Sequence, residues 1–148
     1  MATVLIVIGS KSDMEYAVKC REQLEELGIE GRIEVTSAHR HPKKTAQLVS
    51  RAAQDGFEVV IAMAGLSAAL PGVAAAHTNL PVIGVPLPAA LGGLDSLLSV
   101  IQMPPGIPVA AVGIGMPGAR NAAVLAARIL ALKHAEVSRA VDKHRDSL

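Results

Sequence analysis

Aromatic residues are almost absent from this chain, whose 148 residues include Tyr16 and Phe57 but no tryptophan. Flavin sites are usually flanked by aromatic rings, and proteins that bind single-stranded nucleic acid stack the bases on such rings. The net charge of +1 is also too small to hold a polyanion. The composition therefore argues against both flavin and nucleic acid as ligands.

Cysteine is represented only by Cys20, so no internal disulfide can form, and no signal-peptide pattern opens the chain. No two histidines combine with a cysteine or an acid at metal-ligand spacing, and we predict no metal and no cofactor. A hydrophobic content of 51% is too high for a disordered chain. The length is typical of one domain, here 1–148. A cytoplasmic globular protein is expected.

Charge is missing from the middle of the chain, where Asp95 is the only charged residue between positions 59 and 119. A membrane span needs roughly 20 uninterrupted apolar residues, and glycine and proline break this segment every few positions. The segment therefore predicts buried strands and loops, with no membrane association. A domain of this size buries only about 70% of its unfolded surface, so we also expect burial against other copies of the chain.

Short apolar runs alternate with helical patterns along the whole sequence. The predicted strands are 2–8, 31–37, 57–63, 81–85 and 107–112, and the predicted helices are 14–27, 42 to about 56, 68–78, 93–102 and one C-terminal helix from about 119 to the mid-140s. Apolar strands of this kind are typical of a parallel sheet covered on both faces. We predict a doubly wound α/β protein with a five-stranded parallel sheet and a ligand site at the carboxyl ends of the strands.

Two polar loops follow the first two predicted strands. The segment 9–13 (GSKSD) opens a helix and could hold a phosphate or a ribose, or could be only a turn capped by Asp13. In the segment 37–42 (SAHRHP), His39 precedes Arg40, whose charge favours the neutral imidazole that a general base requires. His41 is expected to face solvent. These loops are the candidate source of the chemistry.

Two glycine-containing segments have different interpretations. The loop 64–72 (AGLSAALPG) offers small residues and free backbone amides, and it can exclude water without supplying an acid or a base. The segment 113–118 (GIGMPG) matches the dinucleotide pattern GxGxxG. It follows the last predicted strand, however, so no later strand could present an acid to a ribose. We interpret 113–118 as a tight turn that lets a helix pack closely.

Several motifs taken together resemble one family. GSKSD, SAHR-x-P, AG-x-x-x-x-LPG, PVIGVP, GLDSLLSVIQMPPGIPV and NAAVLAARIL occur in the order found in N5-carboxyaminoimidazole ribonucleotide mutases, from about Val4 to Leu132. The resemblance implies a flavodoxin-like three-layer α/β sandwich that assembles as a homo-octamer. It also implies an isomerase of purine biosynthesis that moves a carboxyl group from N5 to C4 of aminoimidazole ribonucleotide, a small-molecule substrate, without a metal or cofactor.

The same resemblance implies the roles of individual residues. His39 would be the general acid/base, while Ser10, Asp13 and Arg40 would hold the phosphoribosyl and carboxylate groups. Ser37, Gly65 and Ser67 are expected to complete the substrate site. Carbon dioxide would form transiently in a closed pocket, where an apolar loop retains the gas and excludes water.

One position departs from the family pattern. Members of the family commonly have a histidine before LPG, where this chain has Ala69. A sister group, the aminoimidazole ribonucleotide carboxylases, lacks that histidine and uses free carbon dioxide on the same fold. That group generally has SAHK in place of SAHR and lacks LPG, so the motifs favour the mutase. The alternatives are the carboxylase and a catalytically weak oligomer that binds the ribonucleotide.

Overall fold

A parallel sheet forms the centre of the molecule in the computed structural model, which describes residues 1–148. Its strands are β1 (Thr3–Ile8), β2 (Glu30–Val35), β3 (Val59–Ala64), β4 (Val82–Pro86) and β5 (Ala110–Ala111). Their order is β2-β1-β3-β4-β5, and every pair is parallel. The predicted doubly wound, flavodoxin-like sheet is confirmed.

Helices cover both faces of this sheet. The helices are α1 (Met14–Glu26), α2 (Pro42–Arg51), α3 (Leu70–His77), α4 (Leu94–Ile101), α5 (Met116–Ala131) and α6 (Ala135–Asp146). α1, α5 and α6 contribute to one apolar cluster, and α2, α3 and α4 contribute to the other. Every residue of β3 is buried, as expected for a strand covered on both sides.

β5 and α2 fall furthest short of their predicted bounds. β5 pairs with β4 only through Ala110 and Ala111, because it is an edge strand, and Pro108 lacks the N–H that would extend the ladder. α2 ends at Arg51 rather than near Gly56. A turn follows it, in which the N–H of Phe57 donates to the carbonyl of Ala52 at 3.0 Å. Both differences lie at element ends.

The C-terminal region forms two helices, and the prediction of one helix from about 119 is wrong. The break falls at residues 132–134, between α5 and α6. There Lys133 Nζ lies 2.9 Å from Glu58 Oε2, and His134 Nε2 lies 2.8 Å from Glu58 Oε1. Glu58 precedes β3, so a contact between distant parts of the chain accompanies the break.

The glycine segment before α5 is a tight turn, as predicted. Gly115 has φ +75°, a conformation that favours glycine. A Cβ at Gly118 would overlap the carbonyl of Gly113. The N–H of Gly115 donates to the carbonyl of Pro86 at 2.9 Å, which ties the turn to the end of β4. The glycines therefore serve close backbone packing.

The segment with little charge is divided between the core and the surface. β3 and β4 are buried throughout, as the sequence predicts. Five large apolar side chains between positions 91 and 107 are exposed, namely Leu91, Leu94, Leu98, Ile101 and Ile107. The helices are all too short or too polar to cross a membrane. The chain thus presents an apolar surface on and around α4.

Candidate active site

A cavity of about 490 Å³ opens at the carboxyl ends of the strands. It lies where the chain order reverses, between β1 and β3, the position at which doubly wound sheets bind ligands. The loops after β1, β2, β3 and β4 all contribute to its wall. The seven residues predicted for the site, Ser10, Asp13, Ser37, His39, Arg40, Gly65 and Ser67, all line it. The sheet therefore brings together loops that are far apart in sequence.

The loop after β1 is a short 3₁₀ turn, Lys11–Asp13. Its cap is the side chain of Ser10, whose Oγ accepts from the N–H of Ser12 at 3.3 Å and from the Ser12 hydroxyl at 2.9 Å. Asp13 occupies the N-cap position of α1, as the sequence allows, but its side chain makes no capping hydrogen bond. Its carboxyl group is left available to a ligand.

Burial also changes the acidity of this carboxyl group. Asp13 is half-buried, and its partial removal from water raises its pKa above the usual value, although the backbone of Ser10 partly offsets this effect. Desolvation disfavours the charged form of a carboxyl group. Perturbed carboxyl groups in clefts are common at functional sites. The direction of this shift supports Asp13 as part of the site.

The loop after β2 is held by its own hydrogen bonds. Ser37 Oγ accepts from the N–H of Arg40 at 3.1 Å, and the carbonyl of Ser37 accepts from the N–H of His41 at 2.8 Å. His39 and Arg40 both have exposed side chains. The sequence could identify the imidazole and guanidinium groups. Only the structure shows that Ser37 fixes the turn that carries His39 and Arg40.

Two threonines that the sequence analysis did not single out bracket this loop. Thr36 follows β2 and Thr45 lies in the first turn of α2, and both are buried. The hydroxyl of Thr45 donates to the carbonyl of His41 at 2.9 Å. The two residues lie nine positions apart and match no motif, so only the tertiary structure reveals their contact.

The loop after β3 contributes backbone rather than charge. Leu66 and Ala68 have φ values of +52° and +24°, which are costly for residues other than glycine and cluster at functional sites. The N–H of Ala68 donates to the carbonyl of Gly65 at 3.0 Å, which closes a tight turn. Ala69 lines the cavity directly before α3. The loop supplies no titratable side chain, as predicted.

The remaining wall consists of small or apolar residues. Ser12, Pro88 and Ala89 line the cavity and were not predicted individually, although the loop after β4 was expected to contribute. The structure contains no group of three or more His, Cys, Asp or Glu side chains that could hold a metal ion. The polar chemistry of the cavity is thus concentrated in the loops after β1 and β2.

The fold and the cavity define a flavodoxin-like α/β protein with a polar ligand site at the switch point of the sheet. Comparison with protein families identifies it further. The AIR carboxylase model matches residues 3–148, and the chain belongs to this family.

Several curated relatives carry the same name. A protein of Saccharolobus solfataricus named N5-carboxyaminoimidazole ribonucleotide mutase is 48% identical over 100% of this chain and 93% of its own length. The protein of that name from Escherichia coli is 48% identical over 97% of this chain and 86% of its own length. The crystal structure of Treponema denticola PurE has a TM-score of 0.90 and 34% identity, covering 99% of this chain and 91% of that one. The resemblance predicted from the motifs is confirmed.

Proposed function

We propose that this protein is an N5-carboxyaminoimidazole ribonucleotide mutase, an isomerase of de novo purine biosynthesis. The observation that carries the proposal is the juxtaposition of His39 and Arg40 with Ser10 and Asp13 around one cavity. The cavity belongs to a chain 48% identical to curated mutases over its full length. The two loops supply an acid/base, a fixed cation and polar groups for a ribonucleotide.

The proposed reaction needs one residue that can both give and take a proton. The bond between N5 and the carboxylate carbon breaks, carbon dioxide is released into the cavity, and N5 receives a proton from His39. C4 of the aminoimidazole then attacks the carbon dioxide, and the proton on C4 leaves to His39. One proton is donated and one recovered, so the imidazole returns to its starting state. A histidine is suited to this cycle near neutral pH.

The other residues of the cavity would bind and orient the substrate. Arg40 forms no salt bridge with an acidic residue of the chain, so its guanidinium group can pair with an anionic group of the ligand. Ser10, Ser37 and Asp13 would hydrogen-bond the phosphoribosyl portion. Gly65 and Ser67 would close the apolar loop over the reacting carboxyl group, which excludes water.

An assay with two alternative substrates tests the proposal. The purified protein is incubated with the N5-carboxylated ribonucleotide, without added bicarbonate, and formation of the C4 isomer is followed. A mutase forms the C4 isomer under these conditions. Product that appears only from aminoimidazole ribonucleotide with added bicarbonate would identify a carboxylase. Binding of the ribonucleotide in calorimetry without turnover in either assay would identify the weak binding protein allowed by Ala69.

The proposal includes assembly into a homo-octamer in the cytoplasm. Leu94, Leu98 and Ile101 form an exposed apolar row on α4, and exposed apolar patches of this kind mark interaction surfaces. Light scattering coupled to size-exclusion chromatography should give eight times the chain mass of 15.2 kDa. A monomeric mass at micromolar concentration would contradict this part of the proposal.

A further inference from the structure

A second groove adjoins the candidate active site. Its volume is about 370 Å³, and it shares Gly9, Ser10, Ser37 and Arg40 with the main cavity. The rest of its wall includes Lys11, His41 and Lys44 and no residue of the loop after β3. Arg40 therefore lines both the groove and the cavity.

The groove is lined by cations without carboxylate partners. Lys11, Arg40 and Lys44 form none of the salt bridges of the chain, and no acidic residue lines the groove. The only polar contact of the Lys44 ammonium is with the carbonyl of Val35, at 3.4 Å. Three fixed positive charges are thus concentrated here, in a protein whose net charge is only +1.

The chemistry of this groove suits a phosphate monoester. Two ammonium groups, a guanidinium group and an imidazole can together attract a dianion, and the hydroxyls of Ser10 and Ser37 lie in the same wall. No aromatic side chain lines the groove on which a nucleic acid base could stack. Exposed cations attract a charged ligand over a distance that shrinks as the ionic strength rises.

We propose that this groove captures the phosphate of the ribonucleotide on its way into the active site, with Lys11 and Lys44 as the capturing residues. Arg40 then receives the phosphorylated end at the boundary between the groove and the cavity. The inference rests on the proposed function for its substrate. Its physical basis, an unpaired cationic groove that opens into the catalytic cavity, can be tested separately.

The test compares K11Q/K44Q with K43Q, because Lys43 neighbours Lys44, is exposed and does not line the groove. kcat/KM is measured at ionic strengths of about 0.01 M and about 0.15 M, where the Debye length falls from about 30 Å to about 8 Å. K11Q/K44Q should lose roughly tenfold in kcat/KM at the lower ionic strength, mainly through KM, and much less at the higher one. K43Q should stay within about twofold of the unaltered protein at both.

Two outcomes would overturn the proposal. One is an equal loss in K43Q, which would reflect only the net charge, and the other is no loss in K11Q/K44Q at low ionic strength. Calorimetric titration with ribose 5-phosphate keeps the test independent of turnover. Capture by the groove requires weaker ribose 5-phosphate binding by K11Q/K44Q than by K43Q, even if the mutase assay is negative. Equal binding by the two variants would contradict the proposal.

Discussion

The hydroxyl oxygens of Thr36 and Thr45 lie 2.8 Å apart in the buried interior. Because the Thr45 hydroxyl donates to the carbonyl of His41, the Thr36 hydroxyl donates to Thr45. This chain of hydrogen bonds joins the end of β2 to the first turn of α2, and the loop that carries His39 and Arg40 lies between them. The position of His39, the proposed acid/base, therefore depends on a buried hydrogen bond between two residues that do not themselves bind the substrate.

The losses of stability from replacing these two threonines should not add. T45V leaves the buried Thr36 hydroxyl without its partner, whereas the His41 carbonyl still accepts from the backbone N–H of residue 45, and a buried polar group left unpaired costs about 1–3 kcal/mol. We expect urea denaturation to show this loss, with kcat reduced more than KM is raised.

T45S retains the hydroxyl and should restore kcat. T36V/T45V should be less destabilised than the sum of its single variants, since both hydroxyls are then absent. Additive losses in the double-mutant cycle would contradict a coupled pair.

His39→Asn should abolish turnover while the ribonucleotide still binds. Asparagine resembles imidazole in size and polarity but cannot exchange protons near neutral pH. Loss of a general acid/base lowers kcat by about 10²–10⁴-fold. Stopped assays give the rate, and calorimetry gives the affinity. H77N is the matched control, because His77 is exposed and lines neither the catalytic cavity nor the adjoining groove. Near-normal turnover by H39N would remove His39 from the mechanism.

Asp13→Asn should stabilise the protein at neutral pH while weakening substrate binding. Partial burial raises the pKa of Asp13 in the folded state, so ionisation of this group opposes folding. Stability is therefore lost as pH rises from the unfolded pKa, about 3.9, through the higher folded pKa. Thermal unfolding should show a higher Tm for D13N than for the unaltered protein at pH 7, with the difference vanishing below pH of about 3.5. A lower Tm for D13N at pH 7 would contradict this interpretation.

Glu58→Gln should weaken the junction between α5 and α6. Burial acts to raise the pKa of Glu58, but hydrogen bonds from Lys133 and His134 outweigh it and lower the pKa. The stabilisation is thus present above the unfolded pKa of about 4.3 and is lost as pH falls through the lower folded pKa. E58Q should lose about 1 kcal/mol at pH 7.

Urea denaturation at pH 7 and near pH 2 measures this difference. Near pH 2 the two proteins should be equally stable. E25Q is the control, because Glu25 forms only an exposed ion pair with Arg21 at 3.6 Å. If E58Q were destabilised as much near pH 2 as at pH 7, the charge of Glu58 would not be the cause of the loss.

Cys20 should resist alkylation in the folded protein. Its side chain is fully buried in the core, and burial raises its pKa to about 12. The thiolate is the reactive form, so iodoacetamide at pH 8 should modify it only after unfolding in urea. Mass spectrometry follows the adduct. Rapid stoichiometric modification of the native protein would show that the core around α1 opens readily.

Much of the architecture and the candidate site follows from local pattern. β1, β3 and β4 are apolar runs bounded by turn residues. A strand that is buried on both faces has this pattern, so it can be recognised in the sequence. Parallel strands place their carboxyl ends at one edge, so the sequence is sufficient to predict that Ser10 and His39 lie together. The bounds of β5 and the break at His134 could not be predicted, because sheet pairing and contact with Glu58 determine them.

The sequence alone determined the alternation of elements and which loops carry polar groups, since both depend on near neighbours. Only the tertiary structure decided what depends on contacts across the chain. It paired Thr36 with Thr45, left Asp13 without a capping hydrogen bond, and gave Lys11 and Lys44 a shared groove. It also divided the charge-poor segment, with β3 in the core and α4 exposing Leu98. Hydropathy measures how strongly a side chain avoids water, and only packing decides what covers it.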